Sequence, residues 1–364
     1  MIIGIDASKI TKKEKTGIDN TAYQIISNLI KIDFKNKYYL YTRESLESKI
    51  KNNVNVIEKL IPFPKFWTRF RLPLALFRDK PDAFLALTSG MPAMSPKKSI
   101  ILIHDLAFKY FPEAYSKIEQ MQQEMAIQTA ISRASTIVVT SEANKKDFLA
   151  FYSFPEKQIR VVPLAYDKAA FKKIEFKDVM GIKGKYFLFV GRLEARKNVV
   201  NIVKAFQEFK NGTGSGHKLV LAGKPGYEYE KVVKQIESDK KVKNDIVMPG
   251  FINAENLPDL YAGAEALIYS SLYEGFGIPI LEAFAVGTPV ITSDVSTIKE
   301  VAADAAILVD PKNTSEIATA MESIITNSKL RNDLVQKGLK RSGQFDWFLT
   351  AEKFKKILEE KDGK

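Results

Sequence analysis

The chain has 364 residues, more than one small core organises, and two domains follow from that length. Hydrophobic residues make up 45% and charged residues 27%, the balance of an ordinary folded protein. With no Cys and only two His, His104 and His217, disulfides, thiolate metal sites and a His-rich metal centre are excluded. The net charge of +12 reads either as a lysine-rich surface or as attraction to anions such as nucleotide diphosphates and anionic lipid headgroups.

Residues 1–10 lack the basic start and long apolar stretch of a signal peptide and read as a first buried strand. No run of about 18 apolar residues suggests a transmembrane helix, so a cytoplasmic location is expected. No zinc finger, RNP-like aromatic motif or isolated basic arm supports a nucleic-acid partner.

In chain order, the first half alternates strands with helices. Residues 2–7 read as a strand, and 21–30 as a helix with Ala22, Ile25, Ile26 and Leu29 on one stripe. Strands are expected at 38–41, 55–57, 82–87, 100–103 and 136–140, with a helix at 119–132. Ser141 reads as the N-cap of a helix ending near Tyr152. A break follows at 161–167, with a polar stretch to Lys185.

A second run then places strands at 186–190, 218–222, 246–248, 266–269, 290–293 and 306–309. A helix with Val199, Ile202, Val203, Phe206 and Phe209 on its stripe lies between the first two, and 211–216 reads as a loop. Short strands alternating with helices argue for parallel sheets covered on both faces. The fold class expected is α/β, with two Rossmann-like domains facing each other across a deep cleft. Parallel sheets of this kind bind ligands at the carboxyl ends of their strands.

Three segments carry candidate chemistry. Gly191-Arg192-Leu-Glu-Ala-Arg-Lys197-Asn198 joins a strand to a helix. A diphosphate fits there, since exposed backbone N–H groups and the helix's positive end favour an anion. Arg192 would fork onto two oxygens and Lys197 would supply a point charge. Glu274-Gly-Phe-Gly-Ile-Pro-Ile-Leu-Glu282 places one acid in a Gly- and Pro-punctuated turn and the other in the first turns of a helix at 280–286, closed by Gly287. Such a pair grips two polyols at once, as a nucleotide sugar presents. A glycosidase acid pair is the competing reading, but it has no use for a basic diphosphate site. His104-Asp105 follows the strand at 100–103, where a His either donates to a sugar hydroxyl or serves as a satisfied structural residue. Gly17 lies in a loop ahead of the first helix. No Asp-x-Asp is present, so no metal is expected to hold the donor, and Arg192 and Lys197 would neutralise the departing diphosphate instead.

These residues resemble the retaining glycosyltransferases of family 4, which have the GT-B fold, and the match runs over most of the chain. Its marks are the Gly17 loop, Ile103-His104-Asp105-Leu106, the segment from Phe189 to Asn198, Leu221-Ala-Gly223-Lys224, Pro249-Gly-Phe251 and the segment from Ser271 to Ala283, with Gly287-Thr-Pro-Val290 and Ser293. Phe66-Trp67-Thr68-Arg69, Leu72 and Phe111-Pro-Glu-Ala-Tyr115 are similar to the bacterial branch that builds lipopolysaccharide and other surface polysaccharides, often from GDP-mannose.

The resemblance implies catalytic roles for His104, Arg192, Lys197 and Glu274. It implies that Arg192 and Lys197 hold the donor diphosphate, Glu282 the ribose, and Glu274 the donor sugar near its 3- and 4-hydroxyls. His104 matches the residue near the sugar's 6-hydroxyl, and Gly17 the glycine beside the phosphates and acceptor. Gly191, Gly223 and Lys224 match loops at the nucleotide, and Gly250, Phe251 and Ile252 the part that receives the base. Gly275, Phe276, Gly277 and Ile278 match the turn whose N–H groups face sugar or phosphate.

The domains it implies are an acceptor-binding 1–165, a nucleotide-sugar-binding 166–342 and a helix at 343–364 that docks back on the first. The implied reaction transfers a hexose with retention, mannose from GDP-mannose being the first expectation and a UDP-sugar donor or a non-catalytic sugar-nucleotide scaffold the alternatives. The acceptor implied is a saccharide or polyprenyl-linked saccharide.

Two positions depart from the family's pattern. Asp19 and Asn20 stand where relatives have a second Gly and an Arg, and the domain junction reads Pro163-Leu-Ala-Tyr-Asp167. Residues 61–80 interleave aromatics with Arg, and read either as a peripheral contact with an anionic membrane surface or as a segment packed on the first domain with Trp67 and Phe70 as core.

Overall fold

The computed structural model describes all residues except 12–15, 64–66, 89, 173–181, 183 and 361–364. The chain forms two compact units, one of Met1–Leu164 with the closing helix Trp347–Glu359, the other of Ala165–Asp346. Each is a parallel sheet covered by helices, a Rossmann-like unit as the sequence led us to expect.

The first sheet contains β1 (Ile2–Asp6), β2 (Lys37–Thr42), β3 (Val56–Leu60), β4 (Ala83–Ala86), β5 (Lys98–Ile103), β6 (Thr136–Val139) and β7 (Ile159–Val161). Their order is β3-β2-β1-β4-β5-β6-β7. The second contains β8 (Tyr186–Val190), β9 (Lys218–Ala222), β10 (Ile246–Gly250), β11 (Ala266–Tyr269), β12 (Val290–Ser293) and β13 (Ile307–Val309), ordered β10-β9-β8-β11-β12-β13. The strand order reverses between β1 and β4 in one unit and between β8 and β11 in the other. Ligands of doubly wound sheets sit at that reversal, outside the carboxyl ends of the strands.

The central strands are buried on both faces, which explains their continuous apolar runs. In the second unit Phe187, Phe189 and Leu221 pack under Val203, Phe206 and Phe209 of the helix Val199–Thr213. In the first, Phe84, Ile101 and Ile137 pack with Trp67, Leu76 and Phe148.

Three local expectations change. Residues 211–213 continue the helix Val199–Thr213, which closes only where Gly214 turns left-handed at φ +62. The strand expected at 55–57 runs to Leu60. Gly17 is not in a loop but opens the helix Gly17–Ile32, behind the N-cap Thr16. There Asp19 accepts from the Thr16 N–H at 3.1 Å while Thr16 Oγ1 accepts from the Asp19 N–H at 3.3 Å. Asp19 is thus the N3 acid of a capping box.

Candidate active site

The second unit brings the sequence-predicted residues to its strand-order reversal. The chain leaving β8 carries Gly191, Arg192 and Lys197, and the chain leaving β11 carries Ser271, Glu274 and Gly277. The loops after β8 and β9 are stitched by backbone bonds, with the Leu193 N–H donating to Lys224 O at 3.0 Å and the Gly226 N–H to Leu193 O at 3.1 Å. Gly223, at φ +157, sits so close that a Cβ would collide with the Gly191 carbonyl, so only glycine fits.

Glu274 is the centre of the polar cluster. It is 6% exposed, and its Oε1 accepts from Ser271 Oγ at 2.7 Å and from Lys197 Nζ. Arg196 donates to Oε2 at 3.3 Å, to the Tyr273 carbonyl at 3.2 Å and to Glu194 Oε1 at 3.1 Å. Lys197 also donates to the Tyr269 hydroxyl at 3.1 Å. Burial alone would raise the Glu274 pKa, but the Lys197 ammonium and Arg196 guanidinium outweigh it and hold the carboxyl below its ordinary range. Burial pulls the Lys197 ammonium below the ordinary lysine range, against the opposing pull of Glu274.

Glu282 lies in the helix Ile278–Val286, which begins after Gly277 at φ +101 with no side-chain cap on its first N–H groups. Tyr261, fully buried, donates its hydroxyl to Glu282 Oε2 at 2.9 Å. Burial pushes the Glu282 carboxyl up to about 7, Tyr261 pulling it down and Asp167 adding to the rise.

The Arg192 side chain is 67% exposed, with Nε 3.8 Å from Glu194 Oε2 and its NH2 group 3.5 Å from Pro225 O. Phe251 is 59% exposed and carries the Lys224 ammonium 4.6 Å over its ring, while Ile252 beside it is buried. The Phe276 side chain is buried and packs edge-on against Phe345 at 5.9 Å, beside Gly275, Gly277 and Ile278.

In the first unit His104 follows β5, and its Nε2 meets the Leu87 carbonyl just after β4 at 2.8 Å. Burial lowers its pKa, so the ring is neutral at physiological pH. Among the described residues no group of three or more His, Asp or Glu is placed to hold a metal ion.

Arg196, Tyr261, Tyr269 and Ser271 were given no role from the sequence, although Ser271 opens one of the segments that carry the resemblance and Arg196 lies inside another. The only signal for Arg196 was its place beside Lys197; Tyr261 lies on a different helix from Glu282 and gave none.

The profile of the family described as "Glycosyl transferases group 1" matches residues 171–341. The chain is 28% identical over 258 residues to the O-antigen chain mannosyltransferase B of Escherichia coli, covering 69% of this chain and 67% of that one. It is 27% identical over 275 residues to the O-antigen chain mannosyltransferase RfbU of Salmonella typhimurium, covering 76% and 74%. The crystal structure of Anabaena HepE in complex with UDP-glucose superposes with a TM-score of 0.74 at 16% identity, covering 98% of each chain. The chain is a glycosyltransferase with the GT-B fold, related to bacterial O-antigen chain mannosyltransferases.

Proposed function

We propose that the chain moves a hexose, with retention of anomeric configuration, from a nucleoside-diphosphate sugar to a saccharide or lipid-linked saccharide acceptor. The observation that carries this is the meeting of Lys197 and Glu274 at the β8/β11 reversal, beside the free helix end that precedes Glu282. Arg192 and Lys197 take the diphosphate, Glu282 the ribose and Glu274 the sugar, with the base against Phe251, Ile252 and Lys224. The roles given to His104 and Gly17 belong to the same proposal.

No carboxylate is assigned as a nucleophile. The bond from the anomeric carbon to the phosphate oxygen breaks, the acceptor oxygen bonds on the same face, and the leaving phosphate oxygen takes the acceptor's proton. The protein positions the partners and stabilises the charge that develops on the diphosphate.

The sequence alone placed GDP-mannose first. That order is reversed here: a UDP-sugar leads, because the same-fold HepE was crystallised with UDP-glucose bound. GDP-mannose stands second, on relatives named as mannosyltransferases. Thermal unfolding with UDP, GDP, TDP and ADP, each with and without magnesium, tests both. UDP at about 100 times its Kd should stabilise the chain by about 2.7 kcal/mol without magnesium, and Lys197→Ala should abolish the shift. A response to GDP alone moves the donor to GDP-mannose, and silence from all four removes the donor reading. We also place the chain in the cytoplasm, touching the inner membrane face through the 61–80 segment; no helix among the described residues is long and apolar enough to cross a membrane.

A further inference from the structure

Glu274 and Lys197 occupy each other. A lysine that is to grip a diphosphate is spent on a carboxylate, and a carboxylate that is to grip a sugar has its Oε1 taken. Both groups are nearly buried, at 12% and 7% side-chain exposure, so neither is relieved by water when the other leaves. A buried carboxylate deprived of its only cation is strongly disfavoured.

Arg196 resolves this. Its guanidinium is 18% exposed and lies between two carboxylates, with NH1 on Glu274 Oε2 and NH2 on Glu194 Oε1. Its own backbone is pinned to the Glu274 loop, because the Leu272 N–H donates to the Arg196 carbonyl at 2.9 Å. Arg196 therefore touches the oxygen that Lys197 does not. The four charges of Glu194, Arg196, Lys197 and Glu274 sum to zero, and an arriving diphosphate upsets that balance by drawing Lys197 away.

We propose that Arg196 is a positioning residue that holds Glu274 ionised and oriented through Oε2 while Lys197 exchanges from Oε1 to the donor's diphosphate. The exchange opens Oε1 to a sugar hydroxyl, so phosphate capture and sugar capture become one event. Arg196 itself touches neither part of the donor. This rests on the nucleotide-sugar reading above.

The test uses the full chain, with UDP and GDP as binding probes. UDP-glucose and GDP-mannose serve as slowly hydrolysed donors whose diphosphate release is followed across pH. In Arg196→Gln the Kd of the bound diphosphate should stay within about threefold of wild type. The rate of donor cleavage should fall about tenfold or more, the scale of a lost charge-assisted hydrogen bond. The acid limb of that rate should move to higher pH, since the Lys197 ammonium and the Arg196 guanidinium on Oε1 and Oε2 together hold the Glu274 carboxyl down and the variant removes one of them; the Tyr269 phenol also faces this carboxylate, and Glu194 lies across Arg196 from it. Arg196→Lys keeps the charge without the fork and should recover part of the rate and most of the pH profile. A melting curve on each variant separates this from unfolding. An Arg196→Gln variant that matches wild type in rate and pH profile overturns the proposal alone, as does an Arg196→Lys no better than Arg196→Gln. A wild-type chain that binds neither diphosphate overturns the donor reading and the proposal with it.

Discussion

At the scale of single residues, Glu282 is the group whose protonation pH governs most directly. Its folded pKa, about 7, lies above the ordinary 4.5. Folding therefore favours the protonated carboxyl, and the stability this contributes is complete below about pH 4.5 and lost as pH rises through about 7. A rise of this size corresponds to about 3 kcal/mol at most. Glu282→Gln should accordingly melt progressively higher relative to wild type as pH goes from 5 to 8; a difference that stays flat across that range contradicts the assignment. The proposed ribose contact of this carboxylate predicts a kinetic signature, an acid limb near pH 7 in the donor kcat/KM. Tyr261 lowers the Glu282 pKa by donating to Oε2, so Tyr261→Phe should shift that limb upward with a larger effect on KM than on kcat. An unmoved limb would show that the hydroxyl does not tune this carboxylate.

At the scale of elements, the segment after β3 shows what a sequence pattern conveys and what it hides. A π-turn at Trp67–Arg71 runs into the helix Leu72–Asp79. Trp67 is buried and donates its indole N–H to Ile61 O at 3.1 Å, as the core reading expected, but Phe70 is 61% exposed and does not join it. The wider π-turn breaks the 3.6-residue period, so a helical count from Trp67 misassigns the outer face. Residues 64–66 of the same segment lie outside the described residues.

The outer face presents Phe70, Leu74 and Phe77, each more than half exposed, among the exposed Arg69, Arg71, Arg78 and Lys80. The nearby acid, Asp79, is 8% exposed, with Oδ2 on Lys59 and Tyr41 and Oδ1 on Arg78 at 3.1 Å, so Arg69, Arg71 and Lys80 carry most of the charge of this face. An apolar stripe flanked by cations suits an anionic bilayer surface. The chain should sediment with vesicles containing anionic phosphatidylglycerol and not with pure phosphatidylcholine. Phe70→Ser with Phe77→Ser should weaken that partition about tenfold or more, given about 1.5–3 kcal/mol for a fully buried Phe, without lowering the melting temperature. Equal binding by the double variant would dismiss this face as the contact.

Elsewhere the legible parts were those fixed by local pattern. β8 and β9 match their expected bounds because residues 186–190 and 219–222 are apolar runs closed by Gly191 and Gly223. The Ser141 cap holds as expected, accepting from the Asn144 N–H at 3.0 Å. The Arg196–Glu274 pair was not legible, since it spans 78 positions and exists only because β8 and β11 are neighbours in the sheet. The three-residue β7 was equally hidden, being too short to show a period.

At the scale of the whole molecule, the closing helix Trp347–Glu359 belongs to the first unit although it follows the second in sequence. Its buried face is Trp347, Ala351, Phe354, Ile357 and Leu358, and it packs along the helix Gly17–Ile32. Thr350 Oγ1 donates to Pro163 O at 2.8 Å, and Arg160 pairs with Glu360 at 3.0 Å. Burial of four large side chains at about 1.5–3 kcal/mol each approaches the whole stability of an ordinary domain, about 5–15 kcal/mol. A chain ending at Asp346 should therefore lose the first unit while the second, whose core is complete without the helix, stays folded. The two tryptophans make this readable: truncation removes Trp347 and leaves Trp67, fully buried in the first unit, as the sole reporter. Its emission should shift to the red and the amides of Gly17–Ile32 should lose exchange protection, while calorimetric binding of the nucleoside diphosphate persists. If Trp67 keeps a buried spectrum and the helix Gly17–Ile32 keeps its protection, the first unit does not depend on the chain's last helix, and the packing between them is ornamental to its stability.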